Sequence, residues 1–185
     1  QQAFDFLKSN HLPEKEEKVT LQRLAYYIGV QHYNNANYNN ALVKFEFARK
    51  HPENKEIDVM CLYLLADCYY QLRDYGRSAN YYTEYISTPS NSLVNQIGTA
   101  KYNLAYSYFQ SKQYDKSVNY FRKSINSNLD KERWNDANLH IGVGVQTVFS
   151  QVIAQQKVVH GVIERHTKLK SLPVLGITLI LVLIV

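Results

Sequence analysis

The sequence predicts an all-α fold, a solenoid of stacked antiparallel helix pairs. Three observations carry that expectation. A stretch of about thirty residues recurs along the chain, apolar residues within each copy fall at helical spacing, and a short polar turn divides each copy in two. Composition agrees: hydrophobic residues make up 45% of the 185 and charged residues 20%, values that fit a chain able to bury a core and exclude wholesale disorder. Sixteen tyrosines against a single tryptophan are the unusual feature.

Residues 1–20 come first. Phe4, Phe6 and Leu7 suggest the last helix of an upstream repeat, followed by a linker. The chain begins at Gln1, and no basic n-region with an apolar h-region follows, so no signal peptide is visible. The expectation is a piece of a longer chain or a processed product.

The first copy spans 21–54 and reads Ile28-Gly29-Val30-Gln31-His32-Tyr33, then Asn37-Tyr38, Ala41, Lys44-Phe45 and Ala48. The second, 57–91, lies 37 residues on: Leu65-Ala66-Asp67-Cys68-Tyr69-Tyr70, then Asp74-Tyr75, Ser78, Tyr81-Tyr82 and Tyr85. The third, 95–129, lies 39 further: Leu104-Ala105-Tyr106-Ser107-Tyr108-Phe109, then Gln113-Tyr114, Ser117, Tyr120-Phe121 and Ser124. A partial fourth copy, 131–142, ends with Leu139-His140-Ile141-Gly142.

Each copy reads as two helices. Leu62, Leu65, Tyr69 and Leu72 mark the apolar side of the first helix in the second copy, and Tyr75, Ala79, Tyr82 and Ile86 one side of its second. Pro52 and Pro89 are expected to stop the second helices, because the residue before proline is pushed out of the α region. Gly29, Ala66 and Ala105 occupy equivalent points of the first helices; Ala41, Ser78 and Ser117 do so in the second. Small residues facing small ones are expected to let the helices of a pair approach closely, with aromatics filling the gap to the next pair.

This pattern, Leu–Gly/Ala–x2–Tyr followed by Tyr–x2–Ala/Ser–x3–Phe/Tyr and a late proline, resembles the tetratricopeptide repeat (TPR) family. The sequence departs from it in two ways. The tryptophan position of the family's first helix holds Ala25, Leu62 and Lys101, and the spacing of 37 to 39 implies longer loops between repeats. The resemblance implies a right-handed superhelical solenoid whose concave groove, lined by the first helices, grips an extended peptide or a helix of another protein. Carried over by position, the groove candidates are Arg23, Tyr26, Val30 and Tyr33 in the first copy. They are Met60, Tyr63, Asp67 and Tyr70 in the second, and Thr99, Tyr102, Tyr106 and Phe109 in the third. Mostly tyrosine stands where the family's co-chaperone members carry the Lys, Arg and Asn of a carboxylate clamp, so that clamp is not expected. Tyrosine suits a binding face because it presents a large rigid ring and one hydroxyl at little entropic cost. Tyr69, Tyr75, Tyr82, Tyr108 and Tyr114 read as packing residues.

Other chemistry is not expected. The body is close to neutral: of 21 Lys/Arg and 16 Asp/Glu, residues 1–142 hold 17 and 15, which argues against a nucleic-acid partner. Cys61 and Cys68 lie seven residues apart on one helix, roughly 10.5 Å, beyond disulfide reach, and read as small buried residues. The six histidines, from His11 to His166, are scattered without zinc spacing. Gly142-Val143-Gly144 lacks the third glycine of a dinucleotide fingerprint. Asp67, Glu84 and Asp115 look isolated, solvated or capping. No catalysis, cofactor, metal or small-molecule substrate is expected, and no compartment is assigned.

The last region, 143–185, changes character: it contains no Tyr, Asn or Asp, and it holds ten of the sixteen valines. Its apolar stretch 172–185 would span roughly 21 Å as a helix, short against a bilayer core of ~30 Å. Lys168 and Lys170 precede it, as in a tail anchor. Three readings stay open: an anchor, a buried or cross-subunit segment, or a change of reading frame just after Gly142. The functional expectation is a protein–protein interaction scaffold; the alternative is a membrane-anchored assembly or secretion-accessory subunit held by 172–185.

Overall fold

In the structure, a computed structural model, residues 14–88 and 94–170 are described. The expectations for residues 1–10, for Pro89 and for 172–185 lie outside the described residues. The described residues form seven helices: α1 (Glu14–Asn34), α2 (Tyr38–Arg49), α3 (Lys55–Gln71), α4 (Tyr75–Ser87), α5 (Val94–Gln110), α6 (Tyr114–Ile125) and α7 (Lys131–Lys170). No strand occurs among them, and the fold is all-α. Successive helices pack in pairs, α1 on α2, α3 on α4 and α5 on α6, and each pair packs against the next through α2 on α3 and α4 on α5.

The turn inside each pair has one geometry used three times. Ala36, Arg73 and Lys112 sit at positive φ, 56°, 62° and 60°. In the first turn the Ala36 N–H donates to the Tyr33 carbonyl and the Asn37 N–H to that of His32, both at 2.9 Å. Arg73 and Asp74 repeat this with Tyr70 and Tyr69, and Lys112 and Gln113 with Phe109 and Tyr108. This is a Schellman end, which satisfies carbonyls the helix leaves open, although no glycine supplies the left-handed residue. The caps differ between pairs. Asp74 accepts from the Arg77 N–H at 3.0 Å to start α4, whereas Asn37 and Gln113 make no side-chain cap. Asn54 caps α3 by accepting from the Ile57 N–H at 3.0 Å.

α1 begins at Glu14, so residues 14–20, read from sequence as linker, are helix. Glu14, Glu16 and Glu17 lie in its first turn, where carboxylates meet the positive end of the helix dipole. The seven residues before Leu21 carry little apolar periodicity, and the sequence pattern therefore began too late.

The core is built at repeat-equivalent positions. Phe45, Tyr82 and Phe121 are fully buried, and each packs in one cluster with buried residues of the first helix of its own or the next pair. Cys61 and Cys68 are free and buried among them, and burial pushes both thiols up to about 12. In the first pair Gly29 also faces a large residue: a Cβ there would lie 2.6 Å from the Phe45 ring. The glycine makes room for the ring within its own pair.

The loops that leave α2 and α6 are held by polar or close backbone contacts. Fully buried Gln22 grips Asn54 with both amide atoms: its Nε2 donates to the Asn54 carbonyl at 3.1 Å, and its Oε1 accepts from the Asn54 N–H at 2.7 Å. Gly98, at the equivalent point of α5, lets the loop after α6 pass; a Cβ there would fall 1.8 Å from the Ser127 carbonyl oxygen. Between the first two pairs, Arg49 of α2 reaches Asp58 on α3 at 3.0 Å and Glu84 on α4 at 2.8 Å.

The chain divides into two compact units after Gly144. Within the first, α7 packs through buried Ala137 beside Ala105 and Phe121, and through Gly144, where a Cβ would lie 2.5 Å from a Val118 methyl. Past Gly142 the helix runs on without a turn to Lys170. No second helix of a fourth pair is formed before that point, in keeping with the absence of the Tyr–x2–Ala pattern there. In the second unit Val145, Phe149, Val152, Val158 and Val159 are exposed. No helix among the described residues is long and apolar enough to cross a membrane.

Candidate binding groove

Residues three or four apart on a helix share a face. Asp67, Tyr70 and Gln71 therefore stand together near the end of α3, and Tyr102, Asn103 and Tyr106 do so on α5. These six line one hollow of about 270 Å³.

A hydrogen-bonded network supports the hollow from behind. The Tyr33 hydroxyl of α1 donates to Oδ2 of Asp67, and the Tyr82 hydroxyl of α4 donates to its Oδ1 at 3.2 Å. The Asn103 amide donates to Tyr82 at 3.0 Å and to the Tyr63 hydroxyl at 3.2 Å. Four helices are joined in this way through one carboxylate and one amide. The next seam repeats the motif: Tyr102 donates to Oδ2 of Asp136 at 2.7 Å, and Tyr106 donates to the same oxygen. In both seams a tyrosine on one first helix meets an aspartate 34 residues later. His140 closes the second seam with its ring 4.8 Å from Tyr106, 5.1 Å from Phe109 and 5.4 Å from Phe121.

The electrostatics follow from this packing. Burial, then the adjoining Asp67 carboxylate, holds the Tyr33 phenol well above the ordinary tyrosine range. Burial and Asp136 do the same to Tyr106 and push Tyr102 up to about 12. Burial raises Tyr82 and Tyr63 as well. A phenol beside a carboxylate resists a second negative charge, so near neutral pH these hydroxyls remain protonated donors.

Of the groove residues expected from sequence, Asp67, Tyr70, Tyr102 and Tyr106 meet at the hollow. Tyr33 and Tyr63 join it through the network. Arg23 is exposed on α1, Tyr26 packs on Phe45 and Tyr27, and Phe109 packs on Tyr114 and His140. Val30 and Met60 pack against the first and second cores, and Thr99 is half-buried on α5. Two sequence readings are corrected. Asp67 is half-buried and accepts two hydroxyls instead of standing solvated, and Glu84 pairs with Arg49. Gln71, Asn103, Asp136 and His140 were missed. Asn103 carried a signal, because an amide stands where the other copies have Leu64 and Tyr27. Asp136 and His140, at i,i+4 spacing in the partial copy, carried a weaker one.

The tetratricopeptide repeat family model matches residues 61–91 and 98–131. These stretches are the second and third helix pairs, the two that supply all six residues of the hollow. No curated protein matches the chain.

Proposed function

The chain is a tetratricopeptide-repeat protein, an architecture that mediates binding to other proteins, and from that premise we propose that its partner, an extended peptide or a helix, lies along the first helices and seats one side chain in the hollow between α3 and α5. The observation that carries this reading is the hollow itself: two consecutive first helices turn aromatic rings, an amide pair and a carboxylate into one concavity. Preorganisation supports it too. The hydroxyls behind the hollow are fixed by Asp67, Asn103 and Asp136, so little ordering entropy is lost when a ligand enters.

The test uses peptides selected from a displayed library on the whole chain. Gln71 is exposed at the rim, so Gln71→Trp fills the hollow without entering the core; Asn80→Trp, exposed on α4, is the control. The expected result is that Gln71→Trp weakens the selected peptide by about tenfold or more, a loss of about 1.4 kcal/mol, while Asn80→Trp leaves it unchanged. A peptide indifferent to Gln71→Trp removes the hollow from the interaction.

A further inference from the structure

We propose that the side chain received by the hollow is cationic, an arginine or lysine of a basic partner segment; the inference rests on the groove reading above. Asp67 is the only charged residue among the six that line the hollow. Its carboxylate offers about four acceptor positions, and the hydroxyls of Tyr33 and Tyr82 occupy two. It forms no ion pair among the described residues, although it is half-buried. A half-buried carboxylate that keeps acceptor capacity and lacks a counter-ion favours a positive charge brought from outside.

The walls favour the same charge. Tyr70, Tyr102 and Tyr106 supply three rings around the carboxylate, and aromatic rings attract ammonium and guanidinium groups through their quadrupole. Tyr102 and Tyr106 meet edge to face at 5.0 Å and 69°, and Tyr70 meets Tyr75 at 5.4 Å and 65°, so the rings are set at angles rather than stacked against one another. Asn103 and Gln71 add neutral carbonyl and amide groups at the floor and rim. The neighbouring acid Asp136 adds negative potential behind Tyr102 and Tyr106. Two cations stand near that seam: the Lys101 ammonium donates to the Ser127 hydroxyl at 2.8 Å, and Arg133, whose charge reaches Tyr63 and Tyr102, pairs with Asp130, while Arg23 lies exposed on α1. The polarity is therefore opposite to that of a groove built to clamp a carboxylate.

The experiment follows the tyrosine-ring resonances of the whole chain, isotope-labelled at tyrosine, during titration with short glycine–serine peptides carrying a central arginine, lysine, glutamine or glutamate. The arginine and lysine peptides are expected to shift the Tyr70, Tyr102 and Tyr106 resonances at concentrations about tenfold lower than the other two, with the gap closing at high salt. Asp67→Asn and Gln71→Lys are each expected to erase that preference. Gln71→Lys alters an exposed residue, so it carries the test if Asp67→Asn does not fold. Shifts at equal concentrations for all four peptides, or a preference for glutamate, overturn the cationic assignment and leave the groove reading standing. Peptides of every kind that leave the three resonances unmoved overturn both.

Discussion

In the first helix pair the loop leaving α2 is held by the Gln22 amide, which grips Asn54 through two hydrogen bonds. In the third pair the loop leaving α6 lies directly on the helix backbone at Gly98, with no room for a side chain. The positions are equivalent in the repeat, and Val59 fills the same place in the second pair. One topological need, to bring a return loop against a first helix, is therefore met by a polar anchor in one copy and by the loss of a side chain in another. A repeat family thus constrains where the chain must come close and leaves open which chemistry achieves it.

This comparison can be broken in several places. The largest effect is expected from alkali, which acts on the tyrosine–aspartate seams and not on Gln22 or Gly98. Folding raises the pKa of Tyr33, Tyr82, Tyr102 and Tyr106 above the unfolded value of about 10. Their contribution to stability is fully present below about pH 10 and is lost as pH rises through the folded values, with Tyr102 at about 12 and Tyr33 and Tyr106 higher. Helical circular dichroism should be lost above that pH, together with the last part of the tyrosinate absorbance, to which the four seam tyrosines contribute. Tyrosinate appearing to completion near its ordinary pKa, with helicity intact, would contradict the seams as described.

Gly98→Ala comes next. Its Cβ would meet a carbonyl oxygen, which has no flexible end to move aside, and a loss of about 3 kcal/mol is expected in denaturant unfolding. Gln22→Ala leaves the half-buried Asn54 N–H without its partner, while the Asn54 carbonyl keeps its bond from the Asp58 N–H, and should cost about 2 kcal/mol. Because the two changes lie in different pairs with no shared partner, their effects should add; strong coupling would show that the loops are not independent anchors. Replacing Arg73 or Lys112 with glycine should stabilise by about 1 kcal/mol each, because a left-handed residue then carries no Cβ penalty. Ser117→Ala is the smallest. The buried Ser117 hydroxyl has no partner, whereas Ser78 at the same place bonds Ser107 at 2.9 Å, and Ala41 fills the first copy. Ser117→Ala should be neutral or stabilising by about 0.5 kcal/mol, and Ser78→Ala destabilising by about 1 kcal/mol. Thermal melts of the two variants compare them directly.

Much of the helical framework was legible, because apolar spacing and internal duplication both report backbone geometry. The pairs, their turns and the burial of Cys61 and Cys68 follow from that signal. The start of α1 was not legible, because Glu14 to Thr20 show no apolar face. The left-handed turn residues were hidden too: the usual marker is glycine, and Ala36, Arg73 and Lys112 stand there instead. At the hollow, Tyr70, Tyr102 and Tyr106 stand at positions that the repeat singled out on the first helices. The pairing of Tyr33 with Asp67 and of Tyr102 with Asp136 was not legible, since it depends on the direction of side chains 34 residues apart. Asp67 itself looked isolated only because its partners are distant in sequence.

The Arg49 fork bears on how the first pair sits against the second. One guanidinium serves carboxylates on two successive helices, Asp58 and Glu84. As a partly exposed ion pair it contributes little to stability. Its effect is on alignment: a slip of the first pair by one helical turn, about 5.4 Å, would break both bonds together. The fork therefore reports the register of this seam, with both bonds made or both lost, while the packed residues around Phe45, Cys61 and Leu65 hold the pairs together.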